Sequence, residues 1–123
     1  MRILLSIKPE HARKIFDFTK KYEFRRAIHK RADIDTVVVY ASAPLKKVIG
    51  EFKIDYIIKS DIETLYNRTN KSGGISRSLF FNYFKNKKDG YAIRIKDVKR
   101  YEPSLSLEDD FKIKYPPQSF LYL

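Results

Sequence analysis

The chain has 123 residues, with 26 Lys and Arg against 15 Asp and Glu, and so a formal net charge of +11. Its 43% hydrophobic and 15% aromatic content suits one packed core and excludes disorder, so a single domain over 1–123 is expected. No run approaches the roughly 18–20 apolar residues of a membrane span, and the absence of cysteine excludes a disulfide framework or a thiolate metal site.

Residues 2–7, rich in Ile and Leu, read as a buried strand and not as a secretory signal, because the apolar stretch is short and lacks a small-residue cleavage site. Pro9 suits a first helical turn, and Ala12, Ile15 and Phe16 follow at helical spacing, which predicts a helix over 9–17. Residues 20–27 switch to period two, with Tyr22 and Phe24 on one side and Lys21, Glu23 and Arg25 on the other. The segment 35–41 is apolar on both faces, as a central strand requires, and it breaks at Ser42-Ala43-Pro44.

Residues 48–58 alternate, placing Val48, Phe52, Ile54, Tyr56 and Ile58 on the buried face, with Gly50 where a bulge would be cheap. Ser60-Asp61-Ile62-Glu63 has the form of a capping box, and Ile62, Leu65 and Tyr66 give the helix it opens an apolar face. After Gly73-Gly74, Ser76 caps a second helix striped by Leu79, Phe80, Tyr83 and Phe84. Asp89-Gly90 reads as a turn, followed by a strand through Tyr91, Ile93 and Ile95. Residues 102–110 read as an acidic loop, 111–115 as a short strand, and the apolar C-terminus as packed. Strands predominate without regular strand–helix alternation, which disfavours a doubly wound sheet. The expectation is an α+β domain: a small, strongly bent mixed sheet or barrel with helices inserted at 9–17 and 60–87.

The charge surplus favours a polyanionic partner, and nucleic acid is the obvious one; the plain alternative is a merely basic surface. The cations are scattered, with short clusters at Arg25-Arg26, His29-Lys30-Arg31 and Lys85 to Lys88, so any binding face must be assembled by folding. The sharpest feature is the run of Lys21, Glu23 and Arg25, in which same-face neighbours sit ~6–7 Å apart. Opposite charges keep Glu23 ionised as an acceptor, while Arg25 offers a planar donor fork to phosphate or a base edge. The competing reading is a solvated edge strand whose charges discourage edge pairing.

A second feature is Tyr40-Ala41-Ser42-Ala43-Pro44, where small side chains admit a ligand and Tyr40 supplies a stacking face; the alternative is an ordinary strand exit. In the third, Pro116 and Pro117 stiffen the chain ahead of Gln118 and Ser119, whose amide and hydroxyl suit polar base edges. That segment could equally be a packed terminal strand. His11 and His29 read as surface residues and cannot by themselves build a metal centre. No phosphate-binding glycine loop, nucleophile elbow or paired-carboxylate motif is present, and no metal or cofactor is expected. If the chain does chemistry, a desolvated lysine is the candidate, opposed by the carboxylate of Glu23.

Ile7-Lys8-Pro9-Glu10, then Ile15 and Lys20-Lys21-Tyr22-Glu23-Phe24-Arg25, then Val39 to Pro44 with Ile49-Gly50-Glu51-Phe52, resemble an ASCH domain. The closing Pro116-Pro117-Gln118-Ser119-Phe120 is similar to the ending of its small stand-alone members. Phe18 stands where the family's Gly-x-Lys-x-x-Glu-x-Arg signature usually begins with glycine. The resemblance implies a PUA-like fold, a bent mixed β-barrel with a cleft beneath the signature strand. It implies RNA or a nucleotide bound there, often in connection with translation or transcription control. The cleft would be lined by Lys20, Glu23, Arg25, Tyr40, Ser42, Gln118 and Ser119.

One branch of the family hydrolyses N4-acetylcytidine with a lysine, a threonine and a glutamate; Lys20 matches the lysine, but Glu23 stands at the threonine position. Another branch acts as a ribonuclease. The leading expectation is therefore an RNA- or nucleotide-binding module with a positively charged cleft. Its rival is a small hydrolase, N4-acetylcytidine amidohydrolase-like or ribonuclease, using Lys20. A third possibility is an interaction domain that meets an acidic protein. A cytoplasmic location is expected, no membrane partner is, and oligomeric state is left open.

Overall fold

Six strands and four helices succeed one another in the computed structural model, which describes residues 1–123. Strand β1 (Arg2–Ile7) is followed by helix α1 (Pro9–Phe16), β2 (Tyr22–Arg25), β3 (Thr36–Ala41) and β4 (Lys47–Asp61). Helices α2 (Ile62–Thr69) and α3 (Arg77–Tyr83) come next, then β5 (Asp89–Leu105), α4 (Leu107–Phe111) and β6 (Phe120–Tyr122). All six strands share one sheet, in the order β2-β5-β4-β3-β1-β6. Only the β1–β3 pairing is parallel. The mixed sheet curls into a half-barrel, the α+β architecture expected of a PUA-like domain.

The continuous apolar runs of β1 and β3 are buried on both faces. On one side Ile3, Leu5, Ile7, Val37 and Val39 pack against Ala12, Ile15 and Phe16 of α1. On the other side Leu4, Val38, Tyr40 and Val48 pack with Leu107 of α4. A third cluster joins Tyr22, Phe24 and Ile58 of the sheet to Leu65, Phe80 and Phe84 of α2 and α3. Within it Phe24 and Phe80 meet edge-on with centroids 5.1 Å apart, a favoured geometry for buried aromatics.

The curl is built by bulges in β4. Its register slips against β3 between Val39 and Tyr40, and against β5 between Val48 and Gly50. Gly50 sits under the Phe16 ring, and a Cβ there would collide with that ring and lie 2.5 Å from the Lys99 carbonyl. The same strand corrects one expectation. A further slip between Ile54 and Tyr56 breaks the alternation, so Tyr56 is 45% exposed, its hydroxyl 3.1 Å from that of Tyr22.

Other local expectations shift for identifiable reasons. Ser60 stays in the sheet opposite Gly90, and Asp61 caps α2, accepting from the Thr64 amide and hydroxyl. Asp89-Gly90 is no turn but the start of β5, with the Phe84 ring filling the space a Cβ at Gly90 would need. Residues 102–105 extend β5, and Ser106 then caps α4 by accepting from the Asp109 amide, so a helix replaces the expected loop. Phe111 closes that helix instead of opening a strand. Leu79 leaves the predicted core stripe and is exposed. The C-terminus is packed as expected, with β6 antiparallel to β1. No helix is long and apolar enough to cross a membrane.

Candidate functional site

The chain turns sharply between α1 and β2. Phe18 adopts φ +68°, and the Thr19 and Lys20 amides both donate to the Lys14 carbonyl at 3.0 Å. That turn aims Lys20 inward: the residue is 3% exposed, its ammonium donates to the Gly73 carbonyl at 2.6 Å and stands 4.8 Å from the centre of the Phe24 ring. Lys14 donates at 3.0 Å to the next carbonyl, that of Gly74, so two lysines, one on α1 and one just ahead of β2, hold the α2–α3 loop. Burial pushes the Lys20 ammonium below its usual range; Glu23 opposes this, and Lys14 adds to it.

Period two along β2 then places Glu23 and Arg25 on the face opposite Tyr22 and Phe24. Glu23 is 6% exposed, with one carboxylate oxygen 3.5 Å from Arg25 Nη1. Arg25 Nη2 donates to the Ser119 carbonyl at 2.9 Å, tying the C-terminal segment to this strand.

These groups border a cavity of about 380 Å³. Lys20, Glu23, Arg25 and Gln118, four of the residues singled out from the sequence, line it. The other four do not. Tyr40 is 5% exposed and packed beside Leu4, Val38 and Val48, so its ring offers no open stacking face. Each of three lies one contact behind the lining: Tyr40 is the register partner of Ser6, the Ser42 amide donates to the Ile7 carbonyl, and the Ser119 carbonyl receives Arg25. Lys21 faces a separate hollow of about 300 Å³ on the far side of Lys20. The irregular backbone ahead of β2 breaks the alternation that would have put it beside Glu23.

Several lining groups escaped the sequence reading. His11 is half-buried and not a plain surface residue: it lines the cavity, and its Nδ1 is buried without a hydrogen-bond partner. Burial lowers its pKa and Lys20 reinforces this, while Glu23 and Glu10 oppose it, so the imidazole is neutral near pH 7. The available signal was its position four residues before buried Ile15, on the same helix face. Tyr83 donates its hydroxyl to the Phe24 carbonyl at 3.2 Å and closes the cavity where only core packing was expected. Burial raises its pKa. His29 is also buried, edge-on to Phe120 with its Nδ1 unpartnered, but it stands apart from the cavity.

The lining is mixed in charge. Lys8, Lys20 and Arg25 face Glu10 and Glu23, so cations lead only narrowly and the net +11 of the chain resides mostly elsewhere. No group of three or more His, Cys, Asp or Glu stands close enough together to hold a metal ion. Chemically, the site offers ammonium and guanidinium donors, a carboxylate acceptor and a neutral imidazole, all around one space the size of a nucleoside.

No protein-family model matches the chain. It is 30% identical over 123 residues to an ASCH domain-containing ribonuclease of Zymomonas mobilis, a match spanning 98% of this chain and 82% of that one. The crystal structure of ASCH from Zymomonas mobilis superposes with a TM-score of 0.90 at 29% identity, covering 99% of this chain and 87% of that chain. The chain is also 30% identical over 122 residues to part of ATP synthase subunit alpha of Ureaplasma parvum, a match that spans 15% of that protein.

Proposed function

Because this chain belongs to the ASCH domain family, we propose that its cavity binds RNA, taking one nucleotide between β2, α1 and α3. The observation that carries this reading is the convergence of buried Lys20 and Glu23 and half-buried Arg25 with unpartnered His11 on one space. Arg25 and the spare N–H groups of Lys20 take phosphate or carbonyl oxygens, Glu23 accepts an exocyclic amino group, and the Gln118 amide meets a base edge. Tyr40, Ser42 and Ser119 support this layer from behind. Such a module acts on cytoplasmic RNA, in its turnover or in the control of translation or transcription.

Fluorescence anisotropy with a labelled RNA oligonucleotide tests the reading. Arg25→Ala should weaken binding about tenfold, as loss of a charge-assisted contact does, and rising salt should weaken the wild type. Binding indifferent to both changes overturns it.

Cleavage is the second reading, favoured by the ribonuclease named among the relatives and by the neutral His11. His11 would take the proton of a ribose 2′-hydroxyl while that oxygen attacks the adjacent phosphorus. Lys20 and Arg25 would stabilise the charge on the phosphoryl oxygens, and as the bond from phosphorus to the 5′-oxygen breaks, that oxygen would take a proton from water. The products are a 2′,3′-cyclic phosphate and a free 5′-hydroxyl. His11→Ala should abolish cleavage while retaining binding, and N4-acetylcytidine should remain intact. Release of acetate from N4-acetylcytidine with no RNA cleavage would place the chain among the amidohydrolases instead.

A further inference from the structure

The 300 Å³ hollow beyond Lys20 has no part in the cleft chemistry, yet its makeup is unusual. Five non-glycine residues in the chain have left-handed backbone, and two of them, Phe18 at φ +68° and Asp97 at φ +50°, line this one space. A bulky aromatic in that region is a steric outlier, and such strain is maintained where the surroundings or a function impose it. The Phe18 ring finds no core to fill: it is 60% exposed, with the Lys21 ammonium 6.0 Å from its centre. An exposed ring held at a backbone angle that favours glycine has little structural justification.

Its surroundings indicate what it is for. Lys21 and Lys96 flank the hollow, the latter with only a loose 3.9 Å ion pair to Asp55, while Ile95 and Val98 give it an apolar side. An open aromatic face bordered by lysines is the combination that holds unpaired nucleobases and the phosphates between them. The Asp97 carboxylate disfavours a phosphate inside the hollow but can accept an amino group of a base. Lys20 lines both spaces, so the two cavities are neighbours across a single side chain.

We propose that Phe18 is a stacking platform for the nucleobase adjacent to the one held in the main cleft, which makes this hollow a second nucleotide subsite for single-stranded RNA. The proposal rests on the RNA reading of the cleft.

Affinity of wild type, Phe18→Gly, Phe18→Trp and Arg25→Ala is measured for cytidine monophosphate and for a labelled oligocytidylate, with thermal unfolding to confirm folding. Phe18→Gly should lose about tenfold on the oligonucleotide, the scale of one base–aromatic stack, and nothing on the mononucleotide. Phe18→Trp should retain both affinities, and Arg25→Ala should weaken both. Unchanged oligonucleotide binding by Phe18→Gly, alongside a loss in Arg25→Ala, overturns the subsite and leaves the cleft reading intact. An equal loss on both ligands also overturns it, since Phe18 would then act only through Lys20. A change in oligomeric state with no change in RNA affinity assigns the ring to self-association and overturns it too. No RNA binding by the wild type removes the cleft reading itself, and the subsite with it.

Discussion

The ammonium of Lys20 donates to the carbonyl of Gly73, 53 residues away, at 2.6 Å, and this bond joins the strand bearing Glu23 and Arg25 to the loop between α2 and α3. The next residue, Gly74, lies against the stem of the same lysine at φ +67°, where a Cβ would stand 2.9 Å from the Lys20 Cβ and Cγ. Both the backbone conformation and the space therefore require glycine. Gly74→Ala should destabilise the fold by about 1–2 kcal/mol in urea denaturation and weaken RNA binding as Lys20 is displaced. An alanine variant as stable as wild type would mean that the loop moves freely away from the lysine.

Phe18 presents the opposite case, a side chain where glycine would be more comfortable. Its ring makes little buried contact, so replacement removes strain and few packing interactions. Phe18→Gly should stabilise the protein by about 0.5–1 kcal/mol, the left-handed penalty less the extra freedom of an unfolded glycine. Equilibrium unfolding of the two proteins side by side checks this.

Acid should loosen the fold through its two histidines. Burial holds both below their ordinary value of 6.5, with Lys20 adding to the effect at His11 and Glu23 and Glu10 opposing it. The unfolded chain then binds more protons than the folded one between the lowered values and 6.5. Stability is therefore complete above that range and declines as pH falls through 6.5, levelling off below the folded-state values. Melting temperatures from pH 8 to pH 5 should show this decline, and His29→Phe, which replaces an unpartnered imidazole beside Phe120 with a ring, should flatten it.

Gly50 governs how closely α1 approaches the sheet. With the Phe16 ring and the Lys99 carbonyl already occupying the position of a Cβ, Gly50→Ala should cost about 1–3 kcal/mol as an overpacked contact. Tyr101→Phe serves as a comparison elsewhere on the curled sheet. It loses a 2.8 Å hydrogen bond to Glu51, made by a phenol whose pKa burial pushes up to about 12, and should cost about 1 kcal/mol. Denaturant midpoints of the two variants test whether close approach at Gly50 matters more than that bond.

Much of the architecture was legible because its signals are local. Pro9 with Ala12, Ile15 and Phe16 defines α1, the apolar run through Val37, Val38 and Val39 defines β3, and Ser76 caps α3 as its position suggests. Helix α4 carried legible signals that an acidic composition disguised: the Ser106 cap followed by Glu108, Asp109 and Asp110 in the first turn, where carboxylates favour a helix. The extension of β5 through Pro103 had no such signal, because its partner strand β4 holds it in place.

At the site, the polar alternation of Glu23 and Arg25 can be read directly from residue order, since period two belongs to any strand regardless of what surrounds it. Local chemistry thus determined most of the elements, the acceptor–donor pair on β2 and the family signature around Lys20. Burial did not follow from it. That Lys20 is enclosed, that His11 lacks a partner and that Tyr40 is consumed by the core depend on contacts between residues far apart in the chain. Desolvation is set by the neighbours that folding supplies, so only the curled sheet and its covering helices decide which of these polar groups meet around one cavity.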